Sequence, residues 1–487
     1  MKLKKKWNKA IALLLASALL TLSASAAAGG TGAAVYSNAL TLADGFTYIN
    51  EISYNADGQR VETYRTELST ESAVFPVVMA CDTIYGGMTI EEMIAYAEAQ
   101  GYNVVGAMNC DFFSGYKVPL GGVIEDGVYK SSTEDENLLI FTEDGAAVVT
   151  DAGVTLTLTN LGGGETTDAD TGETTESANA GKTVSLTHLN KMRVDSGGLY
   201  LYTSAFSTIS TYASSDGWAV RFHIDEGDVR IGGEVQLTVA ELMPSVTSCE
   251  IGDEYIILTA ADSSGYRGTL DSFAVGDQVT LTVTPENELL SEALWATGCG
   301  DILVSGGSVT DASAWDAELN KQAHPRTAVG IRADGTVVCY TIDGRSASYS
   351  NGALLEQLAA DMAAMGCVTA VNMDGGGSTA FALRLPGETT ASVLGQPSDG
   401  KSRSCGSYIL FVTENESDGA AEHLYLEQDG LYILSGSALN LGYLASDAAL
   451  LPAETPEDVS AAAETGSVEN GVYTAGSAGT DTLTLSS

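Results

Sequence analysis

Short runs in which apolar and polar residues alternate, separated by Gly, Asp and Asn, dominate this chain and predict β-structure over most of its length. From Ala33 to Thr70, apolar pairs alternate with turns such as Ala43-Asp44-Gly45 and Asn55-Ala56-Asp57-Gly58, which predicts an N-terminal β segment over 33–70. The continuous apolar run Val74 to Ala80 predicts a buried strand. Helical spacing surfaces in two places. Thr89-Ile90-Glu91-Glu92 is a capping box that opens a helix running to Gly101. Ser350 or Asn351 caps a second helix, with Leu354, Leu355, Leu358, Met362 and Met365 on one face and Gly366 as its stop. A strand follows each helix and ends in Asn-x-Asp, at Asn109-Cys110-Asp111 and at Asn372-Met373-Asp374. Residues i and i+2 share a face, so each strand presents an amide and a carboxylate together, and four polar groups converge if the strands are neighbours in one sheet.

Between the two helix–strand units the alternation is denser. Runs such as Ala219-Val220-Arg221-Phe222-His223-Ile224 and Gln278-Val279-Thr280-Leu281-Thr282-Val283 predict a β-rich inserted region over 150–290, a small barrel or sandwich. The acidic, Thr-rich stretch Leu161 to Gly181 lacks periodicity and predicts a surface loop. Arg326 to Arg332, a turn at Asp334-Gly335 and Thr336 to Ile342 predict a hairpin that brings Arg326 and Arg345 to one edge. Ser407 to Val412 is a last strand, 414–423 a linker, and 424–487 an immunoglobulin-like pattern of short strands that breaks off inside or just after a strand, as a truncated chain would. The fold class predicted is α+β: mixed β-sheets with helices over 71–413, interrupted by the insert and followed by a β-sandwich tail.

Composition changes this picture mainly through charge and compartment. Five lysines up to Lys9, an apolar run Ala10 to Leu22 and Ser23-Ala24-Ser25-Ala26-Ala27-Ala28 read as a signal peptide over 1–28, cleaved near Ala26 to Ala28, so the mature chain is expected to be secreted or held at the cell surface. No later run is long and apolar enough to span a bilayer. Without those lysines, 17 basic residues face 64 acidic ones, a net charge of −47, which excludes nucleic acid and anionic lipid as partners. With so few cations, an arginine beside a turn is informative. The seven cysteines lack C-x-x-C spacing and are expected as scattered thiols.

Val371 to Ala380 concentrates the candidate chemistry: a strand stopping at Asp374, then Gly375-Gly376-Gly377, then Ser378 and Thr379. Three glycines are favoured where backbone needs positive φ or close approach, and their amides can form an anion nest. The four histidines have no metal-ligand spacing, so no zinc site is expected and no cofactor is required; an all-oxygen calcium site using Asp111 or Asp374 stays open. A Cys110/His324 nucleophilic pair is conceivable, although a lone cysteine is more often packing. Paired carboxylates suit an oxocarbenium-like transition state, and arginines with glycine amides suit a phosphate, so together they point to a sugar joined to a phosphate.

Asn109-Cys110-Asp111-Phe112-Phe113, His324-Pro325-Arg326-Thr327-Ala328-Val329-Gly330, Asp343-Gly344-Arg345, Asn372 to Thr379 and the late Arg403, in that order, resemble the phosphodiester glycosidase family, that of the N-acetylglucosamine-1-phosphodiester alpha-N-acetylglucosaminidase catalytic domain. The resemblance spans roughly Val74 to Val412. It implies hydrolysis of a sugar phosphodiester, with N-acetylglucosaminyl as the expected sugar, in a cell-envelope or extracellular glycan. It further implies that Arg326, Arg345 and Arg403 hold phosphate with the amides of Gly375, Gly376 and Gly377. Asp374 and Asp111 would be the carboxylates at the anomeric centre and Asp343 a reserve. Asn109 and Asn372 would meet sugar hydroxyls or an acetamido group, with Thr327, Ser378 and Thr379 completing the substrate contacts. The lysine-rich leader and the tail point to a bacterial chain associated with the cell wall. The competing expectation is a non-catalytic envelope module that binds glycan in the same cleft.

Overall fold

The computed structural model describes residues 30–487 except 135–136, 144, 152, 168–171, 195–196, 211–214, 428–431, 478 and 480; the leader read at 1–28 lies outside the described residues. Strands dominate, and among the described residues α-helix is confined to Ile90–Ala99, Glu288–Ser291 and Leu355–Ala364.

An eight-stranded sheet carries the centre of the molecule. Its order is Ala34–Ala43, Phe46–Tyr54, Arg60–Leu68, Val337–Ile342, Arg326–Arg332, Cys367–Met373, Ile302–Ser305 and Ser308–Val309, antiparallel throughout. The 33–70 segment is thus a meander joined to the main sheet through the pairing of Arg60–Leu68 with Val337–Ile342. A second sheet of five strands runs Ser392–Leu394, Phe381–Leu383, Asn103–Asn109, Ser407–Thr413 and Val74–Ala80. The two sheets share one core, in which Phe381 stacks on Tyr48 and Tyr64 with centroids 6.5 and 6.4 Å apart. Leu355, Leu358 and Met362 cover the other face of the large sheet against Ala328, Val338 and Ala370.

Thr89 caps the first helix as expected, its hydroxyl accepting from the Glu92 amide while Glu92 receives the Thr89 N–H. The second helix departs from expectation: its N-cap is Leu354, not Ser350 or Asn351. The Ser350 hydroxyl already donates to Asp343 O and accepts from Glu62 N, so it is committed elsewhere. Gln357 supplies the missing acceptor for the Leu354 amide.

The strands Val123–Glu125, Asn137–Thr142 and Ala293–Cys299 belong to a third sheet that takes the chain into and out of the insert. The insert is one eight-stranded sheet with its own core around Trp218, Phe222 and Leu281. Its two end strands, Thr183–Ser185 and His188–Leu189, are consecutive in the chain, which curls the sheet until its edges lie within about 11 Å. The stretch read as a structureless loop is partly ordered, since Glu165–Thr167 pairs with Thr174–Glu176. Buried Asp277 anchors it by accepting from Gly164 N, Asn160 and Ser177. The C-terminal strands from His423 onward form three small sheets, and Tyr425 and Leu450 reach the main core.

Candidate active site

The strand Cys367–Met373 ends beside Arg326–Arg332, with Thr327 opposite Met373 and Ala328 opposite Asn372. From Asp374 the chain leaves the large sheet, makes a short turn at Gly376–Ser378 and enters the second sheet as Phe381–Leu383, where Phe381 pairs with Met108. The two Asn-x-Asp strands therefore lie in different sheets, contrary to the shared-sheet condition, and only their tips meet. The Asp374 amide donates to Cys110 O at 2.8 Å, and Asn109 Nδ2 donates to Asp374 O at 2.6 Å. The glycine run is the crossing between the sheets.

Glycine is demanded at two of these positions. Gly376 has φ of +62°, left-handed backbone that a side chain strains. At Gly377 a Cβ would lie 2.0 Å from Arg403 Nη2, so the bare backbone is what lets the guanidinium lie against it. The expected row of three open amides is not formed, because Gly376 N donates to Pro325 O at 2.9 Å.

Beneath the crossing sits a buried polar cluster. Asn109 Oδ1 accepts from the Ala380 amide and from the Thr327 hydroxyl, both at 3.1 Å, and Thr327 Oγ1 lies 3.2 Å from Thr379 Oγ1. Asn109, Thr327 and Thr379 thus tie the two sheet tips together and are occupied with one another and the backbone.

Above the crossing is a pocket of about 280 Å³ whose wall includes Asp374, Asn372, Gly375, Gly376 and Gly377 together with Arg326, Arg345 and Arg403. Asp374 is half-buried, and burial pushes its carboxyl up to about 6 against the opposing pull of the Ser378 hydroxyl and the Arg403 charge. Arg326 is 3% exposed; its Nε donates to Ala353 O and its Nη2 to Leu319 O and Gln322 O. Burial, and then the Arg345 charge, bring Arg326 down to about 10, still cationic at neutral pH. Arg345 occupies left-handed backbone at φ +61° and lies against Gly376. Its Nε donates to His324 Nδ1 at 3.3 Å. Burial, Arg345 and Arg326 lower the His324 pKa, which keeps the imidazole neutral and able to accept. Arg403 makes two bonds to Asp399 Oδ2, at 2.9 and 2.6 Å. Asn372 is 2% exposed, and its buried Oδ1 has no partner among the described residues.

Two expected acids are not on this wall. Asp111 is buried, its Oδ2 accepting from Gly121 N at 2.8 Å, with Gly298 packed against the same carboxylate. Asp343 accepts from Gln396 N at 2.8 Å beside Tyr349, and burial pushes it up to about 6. The strands end at Asn109 and Met373, so Asp111 and Asp374 lie two and one residues beyond the backbone to which the i, i+2 rule applies. The second acid at the pocket is Glu318, paired with Lys321 on a surface turn, which periodicity and motif spacing do not single out. Cys110 is fully buried, with burial pushing its thiol up to about 12, and its sulfur neighbours are the Ser407 and Thr297 hydroxyls rather than His324. No disulfide joins any of the seven cysteines, all of which lie among the described residues. Among the described residues no group of three or more His, Cys, Asp or Glu side chains is placed to hold a metal ion.

Residues 253–412, the span that holds most of this wall, match the sequence model of the family described as phosphodiester glycosidase. The chain is 32% identical over 128 residues to the SPbeta prophage-derived protein YomE of Bacillus subtilis (strain 168), a match taking in 25% of this chain and 20% of that one. A solved structure of a hypothetical protein from Synechocystis superposes with a TM-score of 0.59 at 17% identity, covering 77% of this chain and 63% of that one. A candidate exported protein of Burkholderia pseudomallei K96243 superposes with a TM-score of 0.53 at 20% identity, covering 73% and 74%. These likenesses concern the fold, and the chain spans about a fifth of the curated relative's length and under two thirds of the Synechocystis chain. Among the described residues no helix is long and apolar enough to cross a membrane.

Proposed function

We propose, from the match of residues 253–412 to the phosphodiester glycosidase family, that the chain is an exported enzyme hydrolysing the bond between a sugar, N-acetylglucosaminyl in our reading, and a phosphodiester of an envelope or extracellular glycan. The observation that carries the proposal is the meeting of Asp374, Arg326, Arg345 and Arg403 in one pocket of a protein with net charge −42. Cations so scarce elsewhere are gathered where an anion must be held.

In this reading Arg345 and Arg403 grip the phosphate, and Arg326 supplies a buried positive field. The C1–O bond breaks with both electrons going to the phosphate, which leaves as a stable anion and needs little protonation. Ionised Asp374 stabilises or attacks the cationic anomeric carbon, water supplies the new C1 hydroxyl, and its proton passes to a carboxylate at the pocket, Asp374 or Glu318. Asn372 Oδ1 accepts from a sugar hydroxyl. The leader at 1–28 directs export, and the C-terminal strands act as an immunoglobulin-like module holding the enzyme at the wall.

The test is release of free sugar from UDP-N-acetylglucosamine and a panel of sugar-1-phosphodiesters, with Asp374→Asn expected to lose activity by at least about a thousandfold. Absence of release by the wild type, with Asp374→Asn binding glycan as well as wild type does, would make the chain a glycan-binding module.

A further inference from the structure

Resting on that reading of the site, we infer that Tyr116 and Lys117 form a second subsite on the pocket rim, which holds the next sugar ring and the next phosphate of a polymeric substrate. The substrate class is then a chain of glycosyl phosphodiesters rather than a single small ester.

Tyr116 is 54% exposed, yet it is not loose. Its ring stacks on Tyr85 with centroids 5.5 Å apart, and Tyr85 abuts the fully buried Phe206 edge-on at 5.9 Å. The Tyr116 carbonyl accepts from Gly86 N, and Tyr85 N donates to Phe206 O. One aromatic face is thus held rigidly toward solvent, the arrangement by which a flat apolar ring accepts the C–H face of a sugar at low entropic cost.

Lys117 is fixed just as firmly. Its backbone is left-handed, with φ of +66°, a strained conformation for a residue with a long side chain. A turn closed by Lys117 N to Ser114 O and Ser114 N to Val118 O imposes it. Its ammonium lies 4.2 Å from the centroid of the Phe113 ring. Gly87 and Gly406 give the room, since a Cβ at either would come within 3.0 Å of Lys117 atoms.

The platform adjoins the pocket on two sides. Phe112 is part of the pocket wall, and four residues of chain place Tyr116 within about 14 Å of it. Arg403, also on the wall, lies three residues from the Gly406 that packs on Lys117. The Lys117 charge is among those acting on the Asp374 carboxyl. An aromatic face followed by a cation, set beside a pocket for one sugar phosphate, repeats the alternation of a sugar-phosphate chain.

The test compares an oligomer of N-acetylglucosamine units joined by 1-phosphodiesters with UDP-N-acetylglucosamine. Tyr116→Ala should lower the ratio of kcat/KM for the oligomer to that for the short ester by about tenfold, through KM, and Tyr116→Phe should restore it. Lys117→Gln should weaken the phosphodiester oligomer more than a neutral chitin oligomer of equal length. Tyr54→Ala, at an equally exposed tyrosine elsewhere (49%), should leave the ratio unchanged. A ratio within twofold of wild type in Tyr116→Ala would overturn the inference. Should wild type cleave neither ester, the enzymatic reading falls, and direct titration with the same oligomer decides the subsite: binding undiminished in Tyr116→Ala would overturn it as well.

Discussion

A carboxyl that keeps its proton until about pH 6, as Asp374 does, works against the fold once it ionises, because the surroundings that raise its pKa penalise the charge. Relative to the unfolded chain the group favours folding at pH below its ordinary carboxylate value, and that contribution is lost as pH rises through about 6. Asp374→Asn should therefore raise the thermal midpoint near pH 8, with a free-energy gain on the order of 2 kcal/mol, and the gain should vanish below about pH 4. Activity should run the other way: if Asp374 has the proposed role, its ionised form is the working one, and wild-type kcat/KM should climb as pH passes upward through about 6. Arg345→Ala should weaken a phosphodiester far more than a neutral glycoside, and equal losses on both would remove the phosphate assignment. Arg326→Ala should act on stability first, since its guanidinium fastens the backbone at Leu319, Gln322 and Ala353. Asp374 and the three arginines were legible in the sequence because acid and cation sit beside chain-reversing residues in a cation-poor chain. Asp111 was misplaced because nothing local marks Asn109 as its strand's last residue.

The glycine crossing is the element on which the site depends, and its neighbours occupy the space side chains would need. Gly376→Ala should cost about 1–2 kcal/mol through left-handed strain alone. Gly377→Ala should act through Arg403, whose Nη2 a new Cβ would displace. Its loss in phosphodiester kcat/KM should match that of Arg403→Ala, and the double variant should be no worse than either single one; full additivity would mean the two act independently. At this scale the sequence is legible where the signal is local, as in the Thr89 capping box and the hairpin after Arg326. It is illegible where a distant partner decides: Ser350 would cap a helix if Asp343 and Glu62 did not engage it first. Membership of Asn103–Asn109 and Cys367–Met373 in separate sheets is likewise set by partners outside their own segments, Phe381–Leu383 and Ser407–Thr413 for the first and Ile302–Ser305 and Arg326–Arg332 for the second.

For the whole molecule, a net charge of −42 repels the polyanion that the pocket is proposed to take, so long-range and short-range electrostatics oppose each other. Raising ionic strength from about 0.01 to 0.15 M shortens the screening length from about 30 to 8 Å. KM for an anionic oligomer should accordingly fall over that range, whereas a site in a basic protein would show the reverse; a rise would place the controlling charges at the pocket itself. The insert was visible in the sequence as β-structure, but its single curled sheet follows from pairings between Val154 and Pro285 that no local pattern encodes. Two kinds of surface meet at the pocket: a floor in which Pro325, Arg345 and Arg403 already crowd the glycine backbone, and a border that includes Phe112 and the turn around Glu318. New substituents can be accepted along the border and hardly at all on the floor. Divergence among such chains should therefore proceed by exchanging border turns over an unchanging base; under the proposed function, the choice of polymer would drift while the bond that is cut stays the same.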